Sequence, residues 1–314
     1  HRVFHRVIDD VDHAQRFLKG LHRQRLAQLA AFVGERHRQE GGGKIALQDG
    51  ERICRFMPIE DFEREEAFLV FATRQGRIKR TALSEYRNVN RSGLIAIGLR
   101  EGDELIDVTW TSGNDHILLG TANGMAIRFD ENDSRMMGRS ASGVKGIDLA
   151  SEDQVVGMVR CLIDDTAELL TVTENGYGKR TALDEYLVKS EDGSTRTQGR
   201  GGKGRRDIKT SARNGKVVSL LSVDGSGDLM LISYNGMIVR ISTNTVRQTG
   251  RGTQGVRVIN LTKEDKLASV ARIADEGVDA ENTDNDTDAD QPQPVETNES
   301  TAENTQDSAD DAGE

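Results

Sequence analysis

The middle of the chain repeats one short pattern four times, and this repetition limits the folds that the chain can adopt. Each copy has a short apolar run, a turn glycine and an arginine four residues after that glycine. The turn glycines, Gly76, Gly124, Gly176 and Gly236, lie 48, 52 and 60 residues apart. Three of the four turns read Asn-Gly, a pair typical of type I′ hairpin turns because both central residues need a positive φ. The pattern predicts one β-hairpin in each unit.

Each unit continues beyond its hairpin into a second half that also favours strands. An Arg- and Gly-rich stretch leads to an apolar run such as 95–99 or 256–261, and an acidic turn follows. A short strand is predicted to end each unit, at 105–108, 155–158, 217–220 and 267–270. Four strands in a unit of about 50 residues indicate an all-β fold, a β-propeller or β-pinwheel with four four-stranded blades. A stacked β-solenoid is the structural alternative.

Two segments flank the repeats and resemble none of them. Residues 1–43 hold five of the six histidines without metal-ligand spacing, and their apolar spacing permits one or two short helices. Residues 275–314 hold almost nothing apolar, so we predict that this tail is disordered. The predicted organisation is a leader at 1–43, a propeller at 44–274 with blades at about 62–110, 111–163, 164–223 and 224–274, and an acidic tail at 275–314.

Charge is distributed unevenly between the repeat region and the tail. The whole chain has a net charge of −10, but residues 275–314 hold 15 acidic residues and no Lys or Arg. Residues 1–274 therefore carry 42 basic and 37 acidic residues, a net charge of +5. Basic residues cluster at 72–100, 196–216 and 240–257, whereas acids gather in the turns that end the units. Residues at one phase of a repeat share a place in every blade, so this phasing predicts a basic perimeter suited to a long polyanion.

Composition excludes several other classes of protein. Two cysteines far apart in sequence argue against a disulfide scaffold or a cysteine zinc site and suit a reducing cytosol. No apolar run approaches the roughly 18 residues of a membrane span, so no membrane partner is expected. We find no nucleophile–base pair, metal constellation or nucleotide phosphate loop. Aromatic residues make up only 4% of the chain, which argues against readout of single strands. Tyr86 and Tyr186 are expected to pack in the core.

Binding to duplex DNA through its backbone and shape needs no base contacts and fits this composition. An Arg-x-x-x-Gly step recurs in the units and is densest around 198–204. Glycines there let the backbone approach phosphates while arginine and lysine supply charge. The candidate DNA-binding residues are Lys79, Arg80, Arg91, Arg128, Arg139, Lys145, Lys179, Arg180, Arg240, Arg247, Arg251 and Arg257.

Four stretches carry a resemblance to a known family. Residues 68–108, 135–144, 174–181 and 250–256 resemble the C-terminal domain of the A subunit of DNA gyrase and topoisomerase IV, and the likeness extends over about 44–274. The resemblance implies a six-bladed pinwheel that wraps duplex DNA around a basic perimeter. The family's gyrase box reads Gln-Arg-Arg-Gly-Gly-Lys-Gly. Its nearest match here, which departs from the box at its second position, is formed by Gln198, Gly199, Arg200, Gly201, Gly202, Lys203 and Gly204, followed by Arg205.

The resemblance also implies partners and a division of labour. The expected partners are duplex DNA, the B subunit of gyrase and the breakage-reunion part of its A subunit, in the bacterial cytoplasm. No cofactor is expected for this chain, since ATP and Mg²⁺ belong to the full enzyme, and no catalysis is expected from it alone. The four units resemble the last four family blades, so a truncated or frame-shifted reading frame is expected. The corresponding module of topoisomerase IV and a protein-binding propeller are the alternative functions.

Overall fold

β-Strands make up most of the regular structure, in a computed structural model that describes residues 33–34, 55, 57–59, 61–88, 93–163 and 166–273. The described strands are β1 (Val33–Gly34), β2 (Met57–Pro58), β3 (Phe68–Thr73), β4 (Arg77–Ala82), β5 (Leu105–Thr111), β6 (His116–Thr121), β7 (Met125–Asp130), β8 (Val144–Lys145), β9 (Val155–Cys161), β10 (Glu168–Thr173), β11 (Tyr177–Ala182), β12 (Val188–Lys189), β13 (Thr195–Arg196), β14 (Arg205–Arg206), β15 (Val217–Val223), β16 (Asp228–Ser233), β17 (Ile238–Ser242), β18 (Val256–Arg257) and β19 (Leu267–Ile273). Short 3-10 turns follow the hairpins at Leu83–Tyr86, Glu131–Asp133, Leu183–Tyr186 and Thr243–Thr245.

The four predicted hairpins are confirmed, but their turns are not type I′. The hairpins pair β3 with β4, β6 with β7, β10 with β11, and β16 with β17. Each glycine has a positive φ, between 77° and 85°, whereas the residue before it does not. The glycine N–H donates to the carbonyl three residues back, as Gly76 does to Thr73 at 3.0 Å. This is the type I turn followed by a left-handed glycine that makes three-residue hairpin loops.

Each repeat forms one antiparallel sheet, which we call a blade. Blade 1 has the strand order β5-β3-β4-β8, blade 2 has β9-β6-β7-β14, blade 3 has β15-β10-β11-β18, and blade 4 has β19-β16-β17 in the described residues. The outer strand of blades 1, 2 and 3 comes from the following repeat. Blades 1 to 3 are thus each one repeat plus one strand of the next repeat, which excludes the stacked solenoid, and the sheets confirm the all-β expectation.

The inner strands of the blades lie beside one another in chain order: β5 next to β9, β9 next to β15, and β15 next to β19. The hydrophobic core lies between adjacent blades. One cluster joins Val70 and Ile78 of blade 1 to Ile117 and Phe129 of blade 2. Similar clusters join blade 2 to blade 3 and blade 3 to blade 4. Because blades 1 to 3 pack on both faces, their central strands are buried almost throughout.

Two strand predictions fail in detail. The segment 95–99 forms no strand, and only Val256–Arg257 of the predicted strand 256–261 is paired. The segment 95–99 packs on blade 1 itself, whereas the segment 256–261 lies along blade 3 and pairs with it over two residues. The leader, apart from Val33–Gly34, and the tail 275–314 lie outside the described residues, so their predicted structure stays a prediction. Within the described ranges, no helix has the length and hydropathy needed to cross a membrane.

Candidate nucleic-acid interface

Three connecting segments, which we call straps, carry basic residues at one fixed spacing. Strap 1 is 135–149, strap 2 is 196–210 and strap 3 is 247–261. In each strap an arginine comes first, a second arginine follows after four residues, a glycine after four more, and a lysine or arginine two after the glycine. The corresponding residues are Arg135, Arg139, Gly143 and Lys145 in strap 1, Arg196, Arg200, Gly204 and Arg206 in strap 2, and Arg247, Arg251, Gly255 and Arg257 in strap 3.

The strap glycine brings each strap against the blade before it. Gly143, Gly204 and Gly255 have φ values of 74°, 72° and 75°. A Cβ at these positions would lie under 3.0 Å from the backbone carbonyl oxygen of Ile78, Ala126 or Gly178. Only glycine permits both this φ and this approach. The two residues after the glycine then pair as the outer strand of the preceding blade, and the second of them points to solvent.

Neighbouring straps are hydrogen-bonded to one another. The Gly201 N–H of strap 2 donates to the carbonyl of Gly146 at 2.7 Å, and Asp148 returns a bond to Gly202 at 2.9 Å. Strap 3 repeats the arrangement, with Gly252 donating to the Asp207 carbonyl at 2.6 Å. These backbone bonds therefore fix the position of the basic residues of one strap relative to those of the next.

The first and last basic residues of the repeated spacing are exposed in all three straps. Arg135, Arg196, Arg247, Arg206 and Arg257 are exposed, and none of them has a carboxylate within 4.0 Å among the described residues. Lys145, also exposed, pairs with Asp148 at 2.7 Å. Such uncompensated, exposed guanidinium groups are suited to phosphate.

The middle arginines instead fasten the straps. Arg200 donates from Nε to the Asp133 carbonyl at 2.7 Å and from Nη1 to the Lys145 carbonyl at 2.8 Å. Arg251 lies 3.6 Å from the Glu185 carboxylate. Arg139 is half-buried, and its carbonyl accepts a bond from Lys79. The side chains of Arg200 and Arg251 thus combine a positive charge with a positioning role, whereas Arg139 is fastened through its backbone.

The box-like segment 198–205 lies in the middle of strap 2. The Gln198 N–H donates to the Arg128 carbonyl at 3.0 Å, and Arg205 pairs with Ala126 as the start of the outer strand. Lys203 is exposed. Gly199 stands where the family box has arginine, and a Cβ there would meet nothing within 4 Å. The segment thus has the place of a perimeter loop, with room for a side chain at 199.

The two lysines predicted to bind DNA do not reach the surface. Lys79 and Lys179 are both fully buried. Lys79 Nζ donates to the carbonyls of Ala96 and Arg139, whereas Lys179 Nζ lies 3.0 Å from the Asp207 carboxylate. Burial lowers the pKa of Lys79 to about 7. Their assignment as DNA contacts was wrong, because both are enclosed by the fold. Lys79 joins the segment 95–99 to strap 1, and Lys179 joins strap 2 to strap 3.

The arginine that follows each hairpin glycine is also mostly structural. Arg128 is 1% exposed, and its Nε donates to His116 Nδ1 at 3.2 Å. Arg80 is buried and donates to Asn132 Oδ1 at 2.6 Å, and Arg180 pairs with Glu168 at 2.6 Å. Arg240 is exposed and pairs with Asp228 at 2.5 Å. Arg80, Arg128 and Arg180 are therefore corrected to fastening residues.

Other predicted residues have mixed outcomes. Arg91 lies outside the described residues. Tyr86 and Tyr186 pack in the core as expected, and their hydroxyls donate to the Ala96 carbonyl at 3.0 Å and to Asp207 Oδ1 at 2.7 Å. The exposed strap residues Arg135, Arg196 and Arg206 were not among the candidates. Their fixed spacing from the strap glycine was the sequence signal that could have found them.

Comparison with known proteins places this geometry in one family. The family model described as "DNA gyrase C-terminal domain, beta-propeller" matches residues 67–109, 115–161, 167–193, 196–224 and 227–274. The DNA gyrase A subunit of Staphylococcus aureus strain NCTC 8325 / PS 47 is 42% identical over 256 residues, which is 80% of this chain and 28% of the relative. That of strain MRSA252 is 43% identical over the same length. The chain thus spans about 28% of the length of these relatives.

Two solved structures share the fold. One, titled "Structure of DNA gyrase A C-terminal domain", is 26% identical, has a TM-score of 0.62, and is matched over 73% of this chain and 72% of its own. The other, a crystal structure of the C-terminal domain of DNA topoisomerase IV, is also 26% identical, with a TM-score of 0.61 and coverages of 68% and 64%. The propeller or pinwheel fold and the family resemblance expected from the sequence are confirmed.

Proposed function

The chain belongs to the DNA gyrase C-terminal domain family, and from that premise we propose that it binds and wraps duplex DNA along its straps as the C-terminal module of the gyrase A protein. The observation that carries this proposal is the repeated strap spacing, whose first and last basic residues are exposed in all three straps and, except for Lys145, have no carboxylate within 4.0 Å among the described residues. Phosphate contacts of this kind follow a duplex without reading its bases.

The same family membership supports a proposal for the role of this module in a larger enzyme. The module presents wrapped DNA to the breakage-reunion part of the A subunit, while the B subunit supplies ATP hydrolysis for negative supercoiling. The chain itself contributes binding and bending and has no catalytic step. Its place is the bacterial cytoplasm, with the chromosome.

The box-like segment favours gyrase over topoisomerase IV, whose C-terminal module shares the fold at nearly the same TM-score. Binding and wrapping are separable, so one assay distinguishes the two. A relaxed plasmid is nicked and religated with increasing amounts of the chain, and the change in linking number is read on a gel. A positive shift supports the gyrase role. Retardation of DNA without a shift supports the topoisomerase IV alternative, and no DNA binding rejects both in favour of a protein-binding propeller.

A matched pair of triple variants tests the straps themselves. Arg135→Gln, Arg196→Gln and Arg247→Gln together remove three exposed charges from corresponding strap positions. The control, Arg100→Gln, Lys189→Gln and Lys263→Gln, removes three exposed charges elsewhere. We expect the strap variant to lower the slope of log affinity against log salt by about three, one for each lost phosphate contact. Equal effects of the two variants would contradict a strap-bound path.

The departure at Gly199 offers a gain-of-function test. Arginine at this position points into open space and restores the box. Gly199→Arg is expected to raise the affinity for duplex DNA and to steepen the salt slope by about one. Gly138 of strap 1 is a second glycine at which a Cβ would meet nothing within 4 Å, so Gly138→Arg is the control for added charge alone. A larger linking-number shift for Gly199→Arg than for Gly138→Arg would support a specific role for the box.

A further inference from the structure

The turn before each inner strand has an aspartate that accepts a backbone N–H in blades 1, 2 and 4 but not in blade 3. In blades 1, 2 and 4 it holds Asp103, Asp153 and Asp265, whose carboxylates accept the backbone N–H of Gln75, Asn123 and Asn235 at 2.9, 2.9 and 3.1 Å. In blade 3 the turn is one residue longer and has Asn214 and Gly215 instead, flanked by Arg213 and Lys216. Blade 3 is thus the one described blade whose turn holds basic residues and no acid.

A tyrosine lies beside this turn of blade 3. Tyr177 begins β11, where the other blades have Arg77, Met125 and Met237. Its hydroxyl accepts a hydrogen bond from Arg213 Nε at 3.2 Å and another from Arg257 Nη2 at 2.9 Å. The two guanidinium carbons lie 5.1 and 5.3 Å from the centre of its ring. The ring is buried under these arginines, whereas both arginines are exposed.

Each of these three side chains still has at least one N–H or O–H group that no described residue accepts. A tyrosine hydroxyl that accepts two N–H bonds still has its own hydrogen to donate, and no described residue accepts it. Neither guanidinium has a carboxylate within 4.0 Å in the described part of the chain, and the one other bond made by Arg257, to Asn260 Oδ1, is long at 3.4 Å. Hydrogen bonds from Arg213 and Arg257 lower the pKa of the Tyr177 hydroxyl, as a positive local potential does. An anion with several acceptor oxygens would complete this arrangement.

We propose that Arg213, Tyr177 and Arg257 form a clamp for one backbone phosphate of duplex DNA at the corner between blade 3 and strap 3. The proposal rests on the proposed function. A phosphodiester has one negative charge and two non-bridging oxygens, which suit two guanidinium groups and one hydroxyl donor. Arg257 belongs to the strap path, whereas Arg213 lies off it on the turn. The clamp therefore holds the duplex at one defined point along a path that otherwise depends on exposed charge.

Tyr177→Phe is the decisive variant because it removes a donor and no charge. We expect it to weaken binding of a fluorescent duplex about three- to tenfold, the scale of one net hydrogen bond. Tyr234→Phe, which removes a hydroxyl from an exposed tyrosine of blade 4, should leave the affinity unchanged. Thermal melting of both variants checks that the ring still packs. Unchanged affinity of Tyr177→Phe, in a chain that binds DNA, would overturn the clamp and leave the proposed function intact.

A double-mutant cycle tests whether the three groups act together. Arg213→Gln should lower the salt slope by about one, and adding Tyr177→Phe to it should cost little more, since both act on one phosphate. The pair Arg206→Gln and Tyr177→Phe is the control, because Arg206 has the same strap position as Arg257 but lies in blade 2. Those two effects should add. Additive effects in both cycles would overturn a shared phosphate.

Inorganic phosphate provides an independent measurement on the chain without DNA. Arginine Nε–H signals of Arg213 and Arg257 are followed by NMR as phosphate is added to the parent chain and to Tyr177→Phe. Selective shifts that Tyr177→Phe weakens support the site. If the parent chain does not bind DNA, the proposed function fails, and these shifts would show a free-phosphate site in place of the DNA clamp. No selective shifts, together with unaffected DNA binding, would overturn the site for both sources of phosphate.

Discussion

Lys79 of blade 1 and Lys179 of blade 3 occupy the same position in their repeats and are equally buried, but only Lys179 has a carboxylate as its partner. Lys179 meets the Asp207 carboxylate at 3.0 Å, and Asp207 is further bonded by Thr171 and Tyr186, each at 2.7 Å. At the corresponding positions blade 1 has Ala96 in place of Asp207 and Phe71 in place of Thr171. Lys79 Nζ therefore has two backbone carbonyls and the Phe71 ring, whose centroid is 5.1 Å away.

The difference shows two ways to hold one side chain inside a blade. Both lysines donate to a carbonyl of their own repeat and to one of the strap that follows, so each links its repeat to the next. Burial lowers the pKa of both, to about 7 at Lys79, whereas at Lys179 the Asp207 carboxylate opposes the shift. Blade 3 thus has a buried ion pair, and blade 1 has a buried amine whose charge depends on pH near neutrality.

The largest effect is expected from breaking the ion pair on one side. Lys179→Met leaves the Asp207 carboxylate buried without its cation, and removing one partner of a buried ion pair lowers the free energy of unfolding by about 3–5 kcal/mol. Urea unfolding at pH 7 measures the free energy of unfolding directly. Lys79→Met is the matched control, since it leaves no carboxylate unpaired and should cost far less. Equal losses for the two variants would contradict the difference between the blades.

The second prediction is that the free energy of unfolding depends differently on pH in the parent chain and in Lys79→Met. In the unfolded chain the lysine keeps its proton up to an ordinary pKa of about 10.4, whereas in the folded chain it loses it above about 7. The unfolded state then binds more protons, so stability rises with pH between these values, by up to about 1.4 kcal/mol per pH unit. Below pH 7 both states are protonated and this contribution is constant. Lys79→Met should lack the rise, and a parallel pH profile in the two proteins would refute the low pKa.

A transplant of the blade 3 arrangement sharpens the comparison further. The double variant Phe71→Thr with Ala96→Asp places the partners of Lys179 around Lys79. We expect the carboxylate to raise the pKa of Lys79 and to remove most of the rise in stability above pH 7. An NMR titration of the Lys79 Nζ group checks the direction. A pKa that stays near 7 would mean that the surroundings of blade 1, beyond these two residues, determine the shift.

The smallest change is expected when both charges of blade 3 are removed together. Blade 4 has Val239 and Val258 at these two positions, so the repeat accommodates an apolar pair. Lys179→Ile with Asp207→Val should recover part of the stability lost by Lys179→Met, because replacing a whole buried ion pair is often close to neutral. Tyr186 and Thr171 each lose their acceptor in this variant, which leaves a residual cost of about 1–3 kcal/mol for each hydroxyl. A loss as large as that of Lys179→Met would show that the charge pair itself is required.

The hairpins and the fold class could be read from the sequence because turn glycines and β-rich runs are local signals. The turn type could not, since Asn-Gly is compatible with more than one loop and the aspartates that accept the turn N–H groups, such as Asp153, lie about 30 residues away. The DNA-contact prediction failed at Lys79, Arg128 and Lys179 for a related reason. Their strands are buried on both faces, so no alternation distinguishes an inward lysine from an outward one.

By itself the amino-acid sequence determined the number of units, their β character and the phase at which basic residues recur, because these follow from spacing along the chain. Only the tertiary structure decided which basic residues are exposed. The outer strand of each blade comes from the next repeat, so the neighbours of Lys179 include Gly250, 71 positions away. Contacts between residues so far apart in sequence depend on how the blades pack. This packing buries one set of lysines and arginines, which join the blades and straps, and leaves another set exposed on the straps.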